Sequence, residues 1–260
     1  MKLFREVMGS VEQRKSLVLA TVVDKHGEGP IPLAGRLMVD ATGLKRGTVG
    51  GGALEERVIR TAHEILEEKQ HKLLRYDLSG GHDRPGFESV PMICGGQVTI
   101  FYEYISPLPQ LLIFGSGNVG GALLDKMQGA GFDLTVCDRV SPVNINHARY
   151  ISDVAEGVRQ VLADSFVVIS TGSHEVDYTI LKQIVEADRT PYYLGMLASK
   201  KKLASMLKKL KSETGKELKQ IYSPIGLNIG GDTPDEIAIS IAAQLIAKKH
   251  GKNGYKDMSQ

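Results

Sequence analysis

One segment constrains the fold more than any other. The apolar run LLIF at 111–114 leads directly into Gly115, Gly117 and Gly120, spaced G-x-G-x-x-G, and then into the helix-patterned VGGALLDKMQGAG, which Asn118 precedes. The run FDLTVCD follows and ends on Asp138, 23 residues beyond Gly115. Strand, glycine turn, helix, strand and terminal acid, in that order, are the context a dinucleotide-type fingerprint requires. Gly115 permits the tight turn, Gly117 lets backbone N–H groups approach a phosphate, and Gly120 lets the helix pack on the strand. The amide end of a helix beginning at Asn118 favours an anion. Asp138 is placed to accept hydrogen bonds from a ribose or a similar polyol. The plain alternative is that the glycines only make a compact turn.

The rest of that half keeps the same rhythm. A helix is expected near 154–162, a strand at FVVIS, a helix at VDYTILKQIVEAD, a strand at PYYLGML and a helix at SKKKLASMLKKLK. IYSPIG reads as a last short strand. The final helix opens at TPDE, where Thr233, Pro234 and Glu236 form a capping box with proline at the first helical position. Alternating strands and helices predict an α/β class, a Rossmann-like doubly wound parallel sheet. The prolines of ISPLPQ, at 105–110, read as a linker, so the expected domains are 1–107 and 108–260. The first is α+β. It contains a buried strand at SLVLATVV, a hairpin around 41–43, and a helix whose Leu54, Val58, Ala62, Ile65 and Leu66 share one face. Strands follow at HKLLRYDL and from Gln97 onward.

Composition excludes several classes. The net charge is +2, from 32 Lys and Arg against 30 Asp and Glu, which gives no footprint for nucleic acid. The longest apolar helical stretch, IAISIAAQLIA, is too short to span a bilayer, so no membrane partner is expected. The first fifteen residues carry no secretory apolar run, and two cysteines are no disulfide framework. A cytoplasmic protein is the expectation. No His, Cys, Asp and Glu cluster has zinc spacing, so no metal site of that kind is read, and neither G-x-S-x-G nor a P-loop is present.

Six stretches together resemble the XdhC/CoxI family, the maturation factors of xanthine dehydrogenase, carbon monoxide dehydrogenase and related molybdenum hydroxylases. They are LATVVDKHGEGPIPLAGRLMVDATGLKRGTVGGGALEERV, MICGGQVTIFYE, LLIFGSGNVG with VCDR, ISTGSHEVD, YLGMLASKKK and SPIGLNIGGDTPDEIAISIAAQLIA. The resemblance implies an accessory protein or chaperone more than a turnover enzyme. Such a protein would bind the molybdenum cofactor (molybdopterin), hold it while a cysteine desulfurase supplies sulfur, and pass it to the molybdenum hydroxylase apoenzyme. A homodimer is implied as well. The chain departs from the family's pattern at Ala53, where cysteine is common, at Ala198, where glycine is common, and at Lys200 and Lys201, where arginines are usual. The runner-up is an NAD-dependent oxidoreductase, since an acid at 138 favours NAD over NADP.

Within that frame, Cys94 would be a sulfur or molybdenum ligand, left accessible by Gly95 and Gly96; otherwise it is a small core hydrophobe. Gly50, Gly51 and Gly52 would form a second close-approach loop, with Glu55 bonding the donor-rich pterin edge; otherwise they serve turn geometry and the helix dipole. His174 and Asp177 follow the third strand of the second domain and would touch ligand; otherwise His174 caps a helix. Ser199, Lys200 and Lys201 open a helix whose dipole disfavours cations, which an anion there would explain. Cys137 reads as core. Pro224, Gly226 and Asn228 sit in a loop at the sheet end.

Overall fold

The computed structural model describes residues 2–27, 31–79, 84–90, 92, 95–141, 147–218 and 220–252. The chain divides into two compact units, Met1–Pro107 and Leu108–Gln260.

The first unit contains α1 (Lys2–Glu12), β1 (Leu17–His26), β2 (Arg36–Asp40), β3 (Lys45–Thr48), α2 (Gly52–Glu68), β4 (Lys72–Asp77), β5 (Glu88–Ser89) and β6 (Gln97–Ile105). Its sheet runs β3-β2-β1-β6-β4-β5. All neighbours are antiparallel except β4 and β5. Period-two alternation gives the sheet two distinct faces. Val18, Ala20, Val22, Leu37, Val39, Ile100 and Tyr102 point to one face, where the stripe Leu54, Val58, Ala62 and Ile65 of α2 covers them. Leu17, Leu19 and Met38 point to the other and meet Val7 of α1. Inside the first core the Tyr76 and Tyr102 hydroxyls bond each other at 2.6 Å. Burial raises both phenols above their ordinary range.

The second unit contains β7 (Gln110–Phe114), α3 (Asn118–Met127), β8 (Asp133–Cys137), β9 (Arg149–Ile151), α4 (Val154–Arg159), β10 (Phe166–Ile169), α5 (His174–Glu186), β11 (Tyr193–Met196), α6 (Lys200–Thr214) and α7 (Pro234–Lys249). Its five strands are all parallel, in the order β11-β10-β7-β8-β9. The chain therefore starts in the middle, winds outward through β8 and β9, and returns across the centre to β10 and β11. The order reverses between β7 and β10, where open parallel sheets bind ligands. β7 is buried along its whole length, because helices cover both faces. Leu112 and Phe114 pack toward α5 and α6, while Leu111 and Ile113 pack toward α3 and α7. The expected last strand at IYSPIG is reduced to one parallel bridge between Tyr222 and Gly195. The capping box of α7 forms as expected from Thr233 and Glu236. Cys137 is core, and burial pushes its thiol up to about 12. Among the described residues, no helix is long and apolar enough to cross a membrane.

Candidate functional site

The parallel register sets Phe114, Cys137, Ile169 and Met196 side by side at the carboxyl ends of their strands. The turns that follow therefore line one edge, and most of the predicted residues of this unit lie on it.

The glycine turn divides its work among three positions. Gly115 has φ 102°, and a Cβ on it would lie 2.6 Å from the Ser170 carbonyl oxygen. A Cβ on Gly120 would lie 1.9 Å from the Gly115 carbonyl oxygen, so α3 approaches β7 only through glycine. Gly117 has open space beyond it, at φ −64°. It is the N-cap of α3, and no side chain caps the helix. The first amides of α3, starting at Asn118, thus lack a side-chain acceptor, as an anion site requires. The Ser170 hydroxyl, 3.2 Å from where a Cβ on Gly120 would sit, is buried with no partner among the described residues, a polar group whose burial costs stability unless something bonds it.

Asp138 behaves differently from the expectation. Its Oδ2 accepts from the Ser116 amide at 2.6 Å and the Ser116 hydroxyl at 2.8 Å, and its Oδ1 from the Val140 amide at 3.3 Å. Burial acts to raise the carboxyl, but these bonds outweigh it and hold the acid below its ordinary value. Asp138 is a brace between the glycine turn and the end of β8, with fewer acceptor positions left for a ribose. Ser116, the unnamed x of the motif, was not singled out by sequence reasoning. Its place in the turn was the available signal.

His174 is the first residue of α5, but the cap is Ser173, whose side chain accepts from the Val176 amide. The capping alternative for His174 is therefore replaced by its neighbour. His174 itself lines a groove of about 280 Å³ with Lys202 and Lys209. Asp177 is buried and takes the Thr171 amide at 3.1 Å and the Thr171 hydroxyl at 2.6 Å, so it shapes the turn after β10. Ser199 caps α6 by accepting from the Lys202 amide at 3.3 Å. Lys200 joins Gly226, Asn228 and Asp232 around a cleft of about 580 Å³, which Pro224 also lines. Lys201 is exposed and lines neither cavity. The structure thus sends the members of the Ser-Lys-Lys segment to separate tasks.

In the first unit, Gly50, Gly51 and Gly52 have φ of 122°, 77° and 60°, three successive conformations that favour glycine. The Gly50 amide donates to the Thr48 hydroxyl at 3.1 Å, which donates to Glu55 at 2.5 Å. Glu55 therefore braces its own glycine loop through one oxygen. Gly51 faces open space, and a Cβ on Gly52 would touch Met92 at 3.5 Å. The loop thus lies beside the segment that carries Gly95, which has φ 59°. Cys94 lies outside the described residues. Among the described residues, no three His, Cys, Asp or Glu side chains gather as a metal site.

Comparison with known proteins bears on this arrangement. The model of the XdhC Rossmann domain matches residues 111–245, and that of the XdhC and CoxI family matches residues 10–77. The chain is 30% identical to the Escherichia coli K12 protein YqeB, over 98% of this chain and 47% of that one. It is 30% identical to a probable xanthine dehydrogenase subunit from Bacillus subtilis 168, over 56% of this chain and 45% of that protein. The chain spans about half the length of the curated relatives it matches. A crystal structure of a xanthine dehydrogenase from Bacillus halodurans shares the fold, at 22% identity, 98% coverage of both chains and a TM-score of 0.50. The chain belongs to the XdhC and CoxI family, and residues 111–245 are its XdhC Rossmann domain.

Proposed function

We propose that this chain is a maturation factor for a xanthine-dehydrogenase-type molybdenum hydroxylase, with the molybdenum cofactor as its cargo. The observation that carries the reading is the amide end of α3. It has no side-chain cap and has open space at Gly117, at the switch point. Those amides fit the phosphate of a pterin cofactor, since backbone N–H groups donate to phosphate oxygens. Lys200 lines a separate cleft of about 580 Å³ with Gly226 and Asn228, and is a further candidate for anion contact. When bound, the cargo supplies the molybdenum centre; the chain holds and orients it. In this proposal Cys94 handles sulfur or ligates molybdenum while a cysteine desulfurase acts, and the chain works as a homodimer. Gly51, Gly52, Glu55 and Gly95 are the N-terminal unit's candidates for pterin contact.

The runner-up, hydride transfer with NAD, draws on Asp138. The Ser116 and Val140 bonds already on that carboxylate weaken it, because an NAD site uses this acid on the ribose.

The test is anaerobic co-elution on a sizing column, with freshly released molybdenum cofactor in one arm and NADH in the other. Pterin travelling with the protein, and lost in Gly117→Ala, supports the proposal. NADH co-eluting alone overturns it. Unchanged sulfido content of the client enzyme in a Cys94→Ala strain removes sulfur handling from it, and Glu55→Gln measures the part of the first unit.

A further inference from the structure

A cleft of about 290 Å³ lies at the amino end of β11, the opposite end of the parallel sheet from the glycine turn. Its size is close to the lower end of the roughly 300–1,000 Å³ of small-ligand sites. The walls are largely apolar. Pro191 and Tyr192 come directly before β11, Leu194 lies within it, and Leu218 and Tyr222 belong to the segment after α6. β11 is an edge strand, and the Tyr222 amide closes part of that edge by donating to the Leu194 carbonyl at 2.9 Å. The Tyr222 ring stacks on Tyr193 with centres 4.7 Å apart. Tyr192 is 57% exposed, and its hydroxyl donates to the Lys248 carbonyl at 3.2 Å. Both aromatic walls are therefore held by the fold itself.

Arg189 is the one cation among the described residues that line this cleft. The end of α5 fixes its backbone. Its amide donates to the Ile184 carbonyl at 3.0 Å, past Asp188 in the left-handed region at φ 52°. The charges around it are already matched. Lys216 pairs with Asp188 at 2.6 Å and also donates to the Val185 and Glu186 carbonyls. Lys211 pairs with Glu217, the carboxylate that lines the cleft. Arg189 is thus half-buried with no acidic partner among the described residues, and its Nε is shut from water without a hydrogen bond. A guanidinium keeps its charge at any ordinary pH, and a partly buried charge with no counter-charge costs stability. We infer that this cleft binds a small organic monocarboxylate with a flat, apolar body. The carboxylate supplies the missing counter-charge, and guanidinium groups take carboxylates through two parallel bonds. One cation beside the Glu217 carboxylate leaves the second charge of a phosphate unmatched. Tyr192 and Tyr222 suit a single aromatic ring, which gains from packing on other rings. The site stands apart from the amide end of α3, which follows the carboxyl end of β7.

Calorimetry on the full chain tests this with benzoate and phenylacetate against benzamide, acetate and inorganic phosphate, each at millimolar concentration. The two aromatic carboxylates should bind about tenfold tighter than benzamide, which lacks the charge, and than acetate, which lacks the ring. Phosphate should not compete with them. Arg189→Met keeps the apolar stem and removes the charge. It should weaken benzoate by about tenfold or more with no fall in Tm, since no ion pair is lost. Arg189→Lys keeps the charge without the fork and should bind benzoate several-fold more weakly. Tyr192→Ala should weaken both aromatic carboxylates and leave acetate unchanged. Benzamide or phosphate binding as tightly as benzoate, or no binding of either aromatic carboxylate, would overturn the inference. So would benzoate affinity unchanged in Arg189→Lys and Tyr192→Ala. A lowered Tm in Arg189→Met would overturn it as well, because the arginine would then already have its partner within the fold.

Discussion

Gly120→Ala and Gly117→Ala separate the part of the glycine turn that folds the protein from the part that meets a ligand. A Cβ at Gly120 would sit 1.9 Å from the Gly115 carbonyl oxygen, 2.9 Å from its carbon and 3.2 Å from the Ser170 hydroxyl. The nearest atoms are backbone, held by the Gly115 amide's bond to the Cys137 carbonyl, so no flexible side chain can yield. Restoring ordinary contact requires α3 to retreat by roughly 1.5 Å, the kind of overpacking that costs about 1–3 kcal/mol or more. That retreat also loosens Leu123, Leu124 and Met127, all buried against the sheet. Alanine's better helix propensity returns at most about 1 kcal/mol. The expected net loss is therefore about 1–2 kcal/mol, on the order of 0.5–1 M in the urea midpoint of the C-terminal unit. At Gly117 nothing lies within 4 Å, and φ −64° suits any residue. Gly117→Ala should change stability by less than about 1 kcal/mol yet reduce affinity for a phosphate-bearing ligand, whose space the methyl takes. Urea unfolding followed by circular dichroism, fitted with one transition per unit, measures both. The reasoning fails if Gly120→Ala unfolds with the wild type, or if Gly117→Ala is as unstable as Gly120→Ala.

Three further outcomes follow from the same structure. Asp138 is held below its ordinary value in the fold, so its contribution is present above about pH 4 and is lost as pH falls through that range. Asp138→Asn should lower stability at pH 7 by roughly 1–2 kcal/mol and lose less on acidification than wild type, read from urea midpoints between pH 3 and 7; parallel pH curves would refute the brace. Tyr102→Phe should cost about 1–3 kcal/mol by stranding the buried Tyr76 hydroxyl, while the double Tyr76→Phe, Tyr102→Phe change should cost less than the two singles combined; additive losses in a double-mutant cycle would show the pair is not coupled. Thr233→Ala removes the hydroxyl that accepts the Glu236 amide and should destabilise by about 1 kcal/mol in thermal unfolding; an unchanged Tm would mean that end of α7 frays without cost.

Much of the fold was legible because its signals are local. A buried strand, three glycines and an apolar-striped helix within one short stretch leave few alternatives, and β7, α3 and β8 form where that pattern places them. The capping box of α7 is likewise a three-residue affair. What escaped sequence reading was short or distant. β5 and β9 are two and three residues long, below the length at which alternation can be seen. α1 buries only Val7 and Ser10, so its stripe is thin.

The sequence by itself determined that Gly115, Gly117 and Gly120 would open a helix after a strand, since backbone conformation and close approach are properties of the glycines themselves. Only the tertiary structure decided what surrounds that turn. Asp138 reaches Ser116 because parallel pairing sets Phe114 against Cys137. The Ser170 amide reaches the Phe114 carbonyl because β10 crosses back beside β7, and among the described residues its hydroxyl has no partner. Arg139, Asp153 and Glu175 share one cleft because three strands end on one edge. Chain spacing carries no record of such neighbours; they are created when buried strands pair and helices close over both faces of the sheet.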